Sequence, residues 1–125
     1  MKRAFYLFVF GVILATCFLF EFNTDNTYQK INTAISEGRA ENLAVYFAPQ
    51  MELNFNNSQN ICTKTQAVQV LERFFELNRP SQYTSSRNRN YFFGTMKTSE
   101  GKSYKVDYTL KTVNNQPVIT GLYVY

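Results

Sequence analysis

The sequence predicts an α+β domain: N-terminal helices packed on one face of a curved, mainly antiparallel sheet, with a hydrophobic leader helix in front. Three observations carry that reading. Apolar residues recur at helical spacing in the first part, at Tyr28, Ile31 and Ile35 and again at Ala67, Leu71 and Phe74. In the last part they alternate strictly, with Tyr104, Val106, Tyr108 and Leu110 set between Lys105, Asp107, Thr109 and Lys111. Helices first and consecutive hairpins afterwards are the order of an α+β fold, not of a βαβ repeat.

The leader comes first. Lys2 and Arg3 precede the run Ala4 to Phe20, which holds no charge, and Glu21 ends it. A run that is apolar all round has no polar face to give to water, so 1–22 reads as a signal peptide or a membrane or lipid anchor. Three fates stay open. Leu14-Ala15-Thr16-Cys17 resembles a lipobox in which Cys17 would be lipidated, with Thr16 off the usual pattern. Ordinary cleavage near Ala15 or Cys17 and retention as an anchor are the other two. Residues 23–27 read as a short spacer and 28–125 as one domain.

The first domain helix runs from Tyr28 to a stop at Gly38. Ala40, Leu43, Ala44 and Phe47 fall at i, i+3, i+4 and i+7, which predicts a second helix ended by Pro49. Met51, Leu53 and Phe55 alternate with Glu52 and Asn54 as a half-buried strand, and 56–60 reads as a loop. Thr63-Lys64-Thr65-Gln66 is a capping box. The helix it opens carries Ala67, Val70, Leu71, Phe74 and Asn78 on one face, with Phe75 beside them, and Pro80 closes it. Strands are expected at 83–87, 91–98, 104–111 and 117–125, joined by turns at 99–102 and 114–116. Pro117 fits only a strand start or an edge.

Composition narrows the chemistry. The chain has 125 residues and no His or Trp. Without His there is no Ser-His-Asp or Cys-His catalysis and no imidazole metal site. Cys17 belongs to the leader, so Cys62 is alone in the domain and reads as a small buried hydrophobe. The formal charge is +4, but Lys2 and Arg3 supply two of the 13 basic residues against 9 acidic, so the rest carries about +2. That balance, and a main helix whose basic residues are Lys64 and Arg73, leave no nucleic-acid surface. No carboxylate spacing matches a calcium loop, and no cofactor motif is present.

The order of elements and particular residues carry a resemblance. The stretches are Ile35-Ser-Glu-Gly-Arg-Ala40, Leu43-Ala44-x-Tyr46-Phe47, Thr63-Lys64-x-Gln66-Ala67 into Leu71-Glu-Arg-Phe74-Phe75, then Gly94-Thr95 and Tyr104-Lys105-Val106. Over about Tyr28 to Tyr125 the chain resembles the exported Bacteroidota proteins of domain-of-unknown-function family 4783, in the cone-shaped nuclear-transport-factor-2-like superfamily. The resemblance implies a helix-covered cone and an envelope location, and no activity. Relatives tend to carry Tyr at the position of Cys62 and often His at that of Arg87.

Three functions are weighed. The first is a non-catalytic envelope module that binds a small molecule or an envelope protein in the cone, with Tyr46, Phe47, Phe74, Tyr104 and Tyr108 as lining candidates. Tyr104 and Tyr108 are the informative pair, because a buried phenol needs a hydrogen-bond partner that a ligand can supply. The second is an isomerase or cyclase, which the resemblance also suggests. It needs a carboxylate base aimed into the pocket. Alternation places Asp107 and Glu52 outward, Glu72 and Glu76 fall on a polar helix face, and Glu37 and Glu41 flank a helix junction. No catalytic residue is therefore assigned. The third is docking on an anionic envelope surface through Lys97, Lys105 and Lys111 on the outer sheet face. Oligomeric state is left open.

Overall fold

The computed structural model describes residues 26–125. The leader over 1–22 and Cys17 lie outside the described residues. Helix α1 covers residues 26–37, so 26 and 27, expected in the spacer, are already helical. Ile31, Ala34 and Ile35 form its buried stripe. Gly38 ends it at φ 68. The Gly38 N–H donates to the Ile35 carbonyl and the Arg39 N–H to the Ala34 carbonyl, both at 3.0 Å, which is a Schellman cap.

Helix α2 is short, Ala40–Ala44. The helical spacing continues to Phe47, but the chain turns there, and Phe47–Phe55 is strand β1. Pro49 therefore lies inside a strand instead of ending a helix. It falls where β1 changes register against its neighbour, between Phe47 and Glu52. A residue without an N–H is tolerated at such an irregularity.

The expected loop at 56–60 is also a strand. Asn56 and Asn57 stand at φ 51 and 67, the left-handed pair of a two-residue hairpin turn. Strand β2, Ser58–Thr63, then returns antiparallel on β1, from Phe55↔Ser58 to Gln50↔Thr63. Helix α3, Lys64–Leu77, opens on the expected capping box. The Gln66 N–H donates to Thr63 Oγ1 at 3.3 Å and the Thr63 N–H to Gln66 Oε1 at 2.9 Å. Its buried row is Ala67, Leu71 and Phe75. Phe74 is only half-buried and Val70 is 45% exposed, so the helix is rotated from the expected face. Two adjacent rows satisfy the same spacing, and the neighbouring rings of Phe55 and Tyr104 give Phe74 its place at the margin.

Strands β3 (Pro80–Asn88), β4 (Tyr91–Thr98), β5 (Ser103–Val113) and β6 (Gln116–Val124) complete the chain. The sheet order is β2-β1-β6-β5-β4-β3. Every neighbouring pair is antiparallel except β1 with β6, which is parallel. One face of the sheet carries the core: Met51, Leu53, Phe92, Met96, Val106, Tyr108, Ile119 and Leu122 meet Ile31, Ile35, Leu43, Leu71 and Phe75 from the helices. The other face is open.

Candidate functional site

The interior is reached through Tyr108, because strict alternation along β5 turns it toward the helices. Its ring lies flat on Phe92, centroids 4.8 Å apart and planes 4° apart. Tyr28 of α1 also packs on Phe92, with centroids 4.8 Å apart and the rings tilted by 33°. The hydroxyls are then used up by the chain. Tyr108 Oη donates to Asn32 Oδ1 at 2.9 Å, and Asn32 Nδ2 donates to Ser85 Oγ at 2.9 Å. Tyr28 Oη lies 2.8 Å from Ser85 Oγ and donates to the Ser85 carbonyl at 3.2 Å. The Arg87 guanidinium sits 5.5 Å over the Phe92 ring. Burial, and then the nearby phenols of Tyr83 and Tyr28, push the Tyr108 hydroxyl well above the ordinary phenol range.

The other four aromatic candidates fall elsewhere. Phe47 is core. Phe74 meets Tyr104 edge to face at 5.2 Å, and Tyr104 Oη donates to Asn78 Oδ1 at 2.8 Å. Asn78 Nδ2 in turn donates to the Phe74 carbonyl at 3.2 Å, so this pair closes the C-terminal end of α3 onto β5. Tyr46 lines an open groove of about 500 Å³ beside α1, with Gln29, Lys30, Thr33, Asn42 and Val45. Val45 is 73% exposed there. The five candidates are thus spread over four places and do not surround one cavity.

Asp107 requires a correction. Alternation places it on the open face, and it is on that face, but it is 0% exposed and not solvated. Tyr91 Oη donates to Asp107 Oδ2 at 2.6 Å, the Gly94 N–H to Oδ1 at 3.3 Å, and Lys105 Nζ stands 3.7 Å from Oδ2. Tyr91 stacks beside Phe93, and Lys105 lies 5.7 Å over the Tyr125 ring. Aromatics on both neighbouring strands therefore roof the carboxylate. The signal for this in the sequence is the alternation Tyr91/Phe93 and Tyr123/Tyr125, but only the register Phe93↔Asp107↔Tyr123 brings both rows over one residue. Burial, followed by the bond to Asp107, lifts the Tyr91 phenol far above its usual range.

Glu52 lies on the same face, as expected, and is also engaged. It accepts from Tyr123 Oη at 2.9 Å and from Gln59 Nε2. Lys97, Lys105 and Lys111 are all exposed on the open face. Lys97 and Lys105 are diagonal neighbours across β4 and β5. Lys111 stands further along β5, about 20 Å from Lys105 at the strand rise. One buried side-chain oxygen, Asn54 Oδ1, has no partner among the described residues. It belongs to β1 on the open side, not to the interior. Among the described residues no three Cys, Asp or Glu side chains gather as a metal site.

A six-stranded mixed sheet, capped on one face by helices that close over a tyrosine-rich interior, is an NTF2-like fold. The chain belongs to the family Domain of unknown function (DUF4783), whose profile matches residues 28–124. A family protein from Bacteroides ovatus is 25% identical with a TM-score of 0.68, covering 76% of this chain and 90% of that one. Another from Bacteroides uniformis is 19% identical with a TM-score of 0.71, over 77% and 93%. A putative dehydratase of the NTF2-like family from Streptomyces avermitilis shares the fold at a TM-score of 0.54 and 6% identity, over 81% and 91%. No curated protein matches the chain.

Proposed function

We propose that this chain is an exported, non-catalytic module of the cell envelope that binds its ligand or partner at the surface groove beside α1, not inside the cone. The observation that carries the reading is the Tyr28-Asn32-Ser85-Tyr108 network. Each polar group there takes its partner from the chain itself, so an interior ligand would have to break bonds it then has to replace. The groove instead offers open amide, ammonium and phenol groups of Gln29, Lys30, Asn42 and Tyr46 beside the bare Val45 side chain. That mix of an apolar anchor and a few polar groups suits a small amphipathic ligand.

The enzyme reading has the weaker support. A general base has to reach the substrate proton. The buried carboxylate, Asp107, lies on the face away from the interior with donors already on both oxygens. Export rests on the sequence: two basic residues, an uncharged run, and Glu21 after it.

Amide-detected NMR with a fragment library of small polar aromatics tests the site. Shifts are expected at residues 29–46 and should disappear in Val45→Glu. Shifts centred on Asn32 and Tyr108, or turnover of a carbonyl substrate lost in Asp107→Asn, would replace this reading. The intact mass of the N-terminus separates a cleaved, lipidated or retained leader.

A further inference from the structure

The two edges of the sheet are treated differently. Edge strands expose unpaired main-chain groups, and proteins usually blunt them with charge, proline, bulges or a cover. Strand β3 has all four devices. Pro80 starts it, its register shifts between Pro80 and Gln82, and Arg87 sits on it. The outward carbonyl of Ser85 is taken by Tyr28 Oη at 3.2 Å. Strand β2 has none. Ser58-Gln-Asn-Ile-Cys-Thr63 contains no charge and no proline, pairs with β1 without a register shift, and is exposed at every position but Cys62.

The hairpin fixes which groups are free. Across a two-residue turn the closing pair, Phe55↔Ser58, exchanges main-chain bonds, and bonded pairs alternate from there. Ser58, Asn60 and Cys62 therefore bond inward to β1. Gln59, Ile61 and Thr63 point to the edge. Thr63 N–H is already taken by Gln66 Oε1. The N–H and C=O groups of Gln59 and Ile61 remain, next to an Ile61 side chain that is 79% exposed.

We propose that β2 pairs antiparallel with β2 of a second copy of this chain, on a two-fold axis through Asn60. The strand itself argues for that occupant. In this register Gln59 faces the other copy's Ile61 and the reverse, so the free groups of both strands are all satisfied. No charge meets its own image across the axis, and the two exposed Ile61 side chains become diagonal neighbours. The proposal is independent of the groove at Tyr46, which lies on α1 and the turn before β1.

Sedimentation of the purified protein over a wide concentration range tests it. A monomer–dimer equilibrium is expected, weak because the contact is short. Ile61→Lys, which puts like charges on the edge, should weaken it at least tenfold, with the circular dichroism unchanged. Cross-linking reads the register. Asn60 meets its own copy as a non-bonded pair about 4.5 Å apart at Cα, within disulfide reach. In a Cys17→Ser, Cys62→Ser background, Asn60→Cys should cross-link under mild oxidation and Gln59→Cys should not. A protein that stays monomeric, a dimer indifferent to Ile61→Lys, or equal cross-linking of both cysteines overturns the proposal. So does a monomer whose Gln59 and Ile61 amides are protected from exchange only when an extended peptide is added, which would assign the edge to another chain.

Discussion

Asp107 is the residue whose role depends most on its surroundings. A carboxylate removed from water needs donors on both oxygens, and it has Tyr91 Oη, the Gly94 N–H and, farther off, Lys105. Its substitution by Ala would leave the Tyr91 hydroxyl and the Gly94 amide unpaired under the aromatic roof. Asp107→Ala should cost about 2–3 kcal/mol, the scale of hydrogen bonds to a charged group, and Asp107→Asn clearly less. Urea unfolding midpoints measure both. Gly94 is a second case. A Cβ there would stand 2.6 Å from the Thr84 carbonyl oxygen and 2.6 Å from Tyr83 Oη. Tyr83 crosses that space to donate to the Val106 carbonyl at 2.7 Å. Gly94→Ala should therefore destabilise by about 1–3 kcal/mol as the ring is displaced. In the same variant, the near-ultraviolet circular dichroism of the tyrosines should change.

At the scale of elements, short-range chemistry accounts for what was legible. The capping box at Thr63, the stop at Gly38 and the alternation of β5 each depend on neighbours a few residues away, and each is where the sequence places it. Thr63→Ala should lower stability by about 1 kcal/mol through loss of the cap. The amide of Gln66 should then exchange faster. Elements set by distant contacts were harder to read. β2 has no alternation because both of its faces are wet, so nothing in its composition distinguishes it from a loop. Phe47 and Pro49 suit the end of a helix locally, but the sheet recruits them as the start of β1 beside β6, some seventy residues later in the chain. The rotation of α3 has the same origin, since only the packed sheet chooses between the rows of Phe74 and Phe75.

For the molecule as a whole, four phenols set an alkaline limit, those of Tyr83 and Tyr108 buried and those of Tyr91 and Tyr123 hydrogen-bonded to carboxylates on the open face. Tyr83, Tyr108, Tyr91 and Tyr123 are all held above the ordinary value of 10.0, chiefly by burial. The folded chain thus keeps these protons longer than the unfolded chain, which releases them near that value. Their contribution is complete below about pH 10 and is lost as pH rises beyond it. Urea midpoints should be flat from pH 7 to 9 and fall steeply above 10. Phenolate absorbance should lag behind that of free tyrosine until the protein unfolds. A midpoint unchanged at pH 11 would contradict the burial of these hydroxyls.

Local spacing and composition suffice for the fold class, the helix caps, most strands and the chemistry that absent histidine removes. Tertiary structure alone decided that Asp107 is buried on the open face, that Tyr108 is closed in by Asn32, and that β2 exists and leaves an edge free. The reason is register. Alternation says which side of a strand a residue takes, but only the neighbouring strands and helices decide whether that side meets water, a ring or a hydrogen-bond partner.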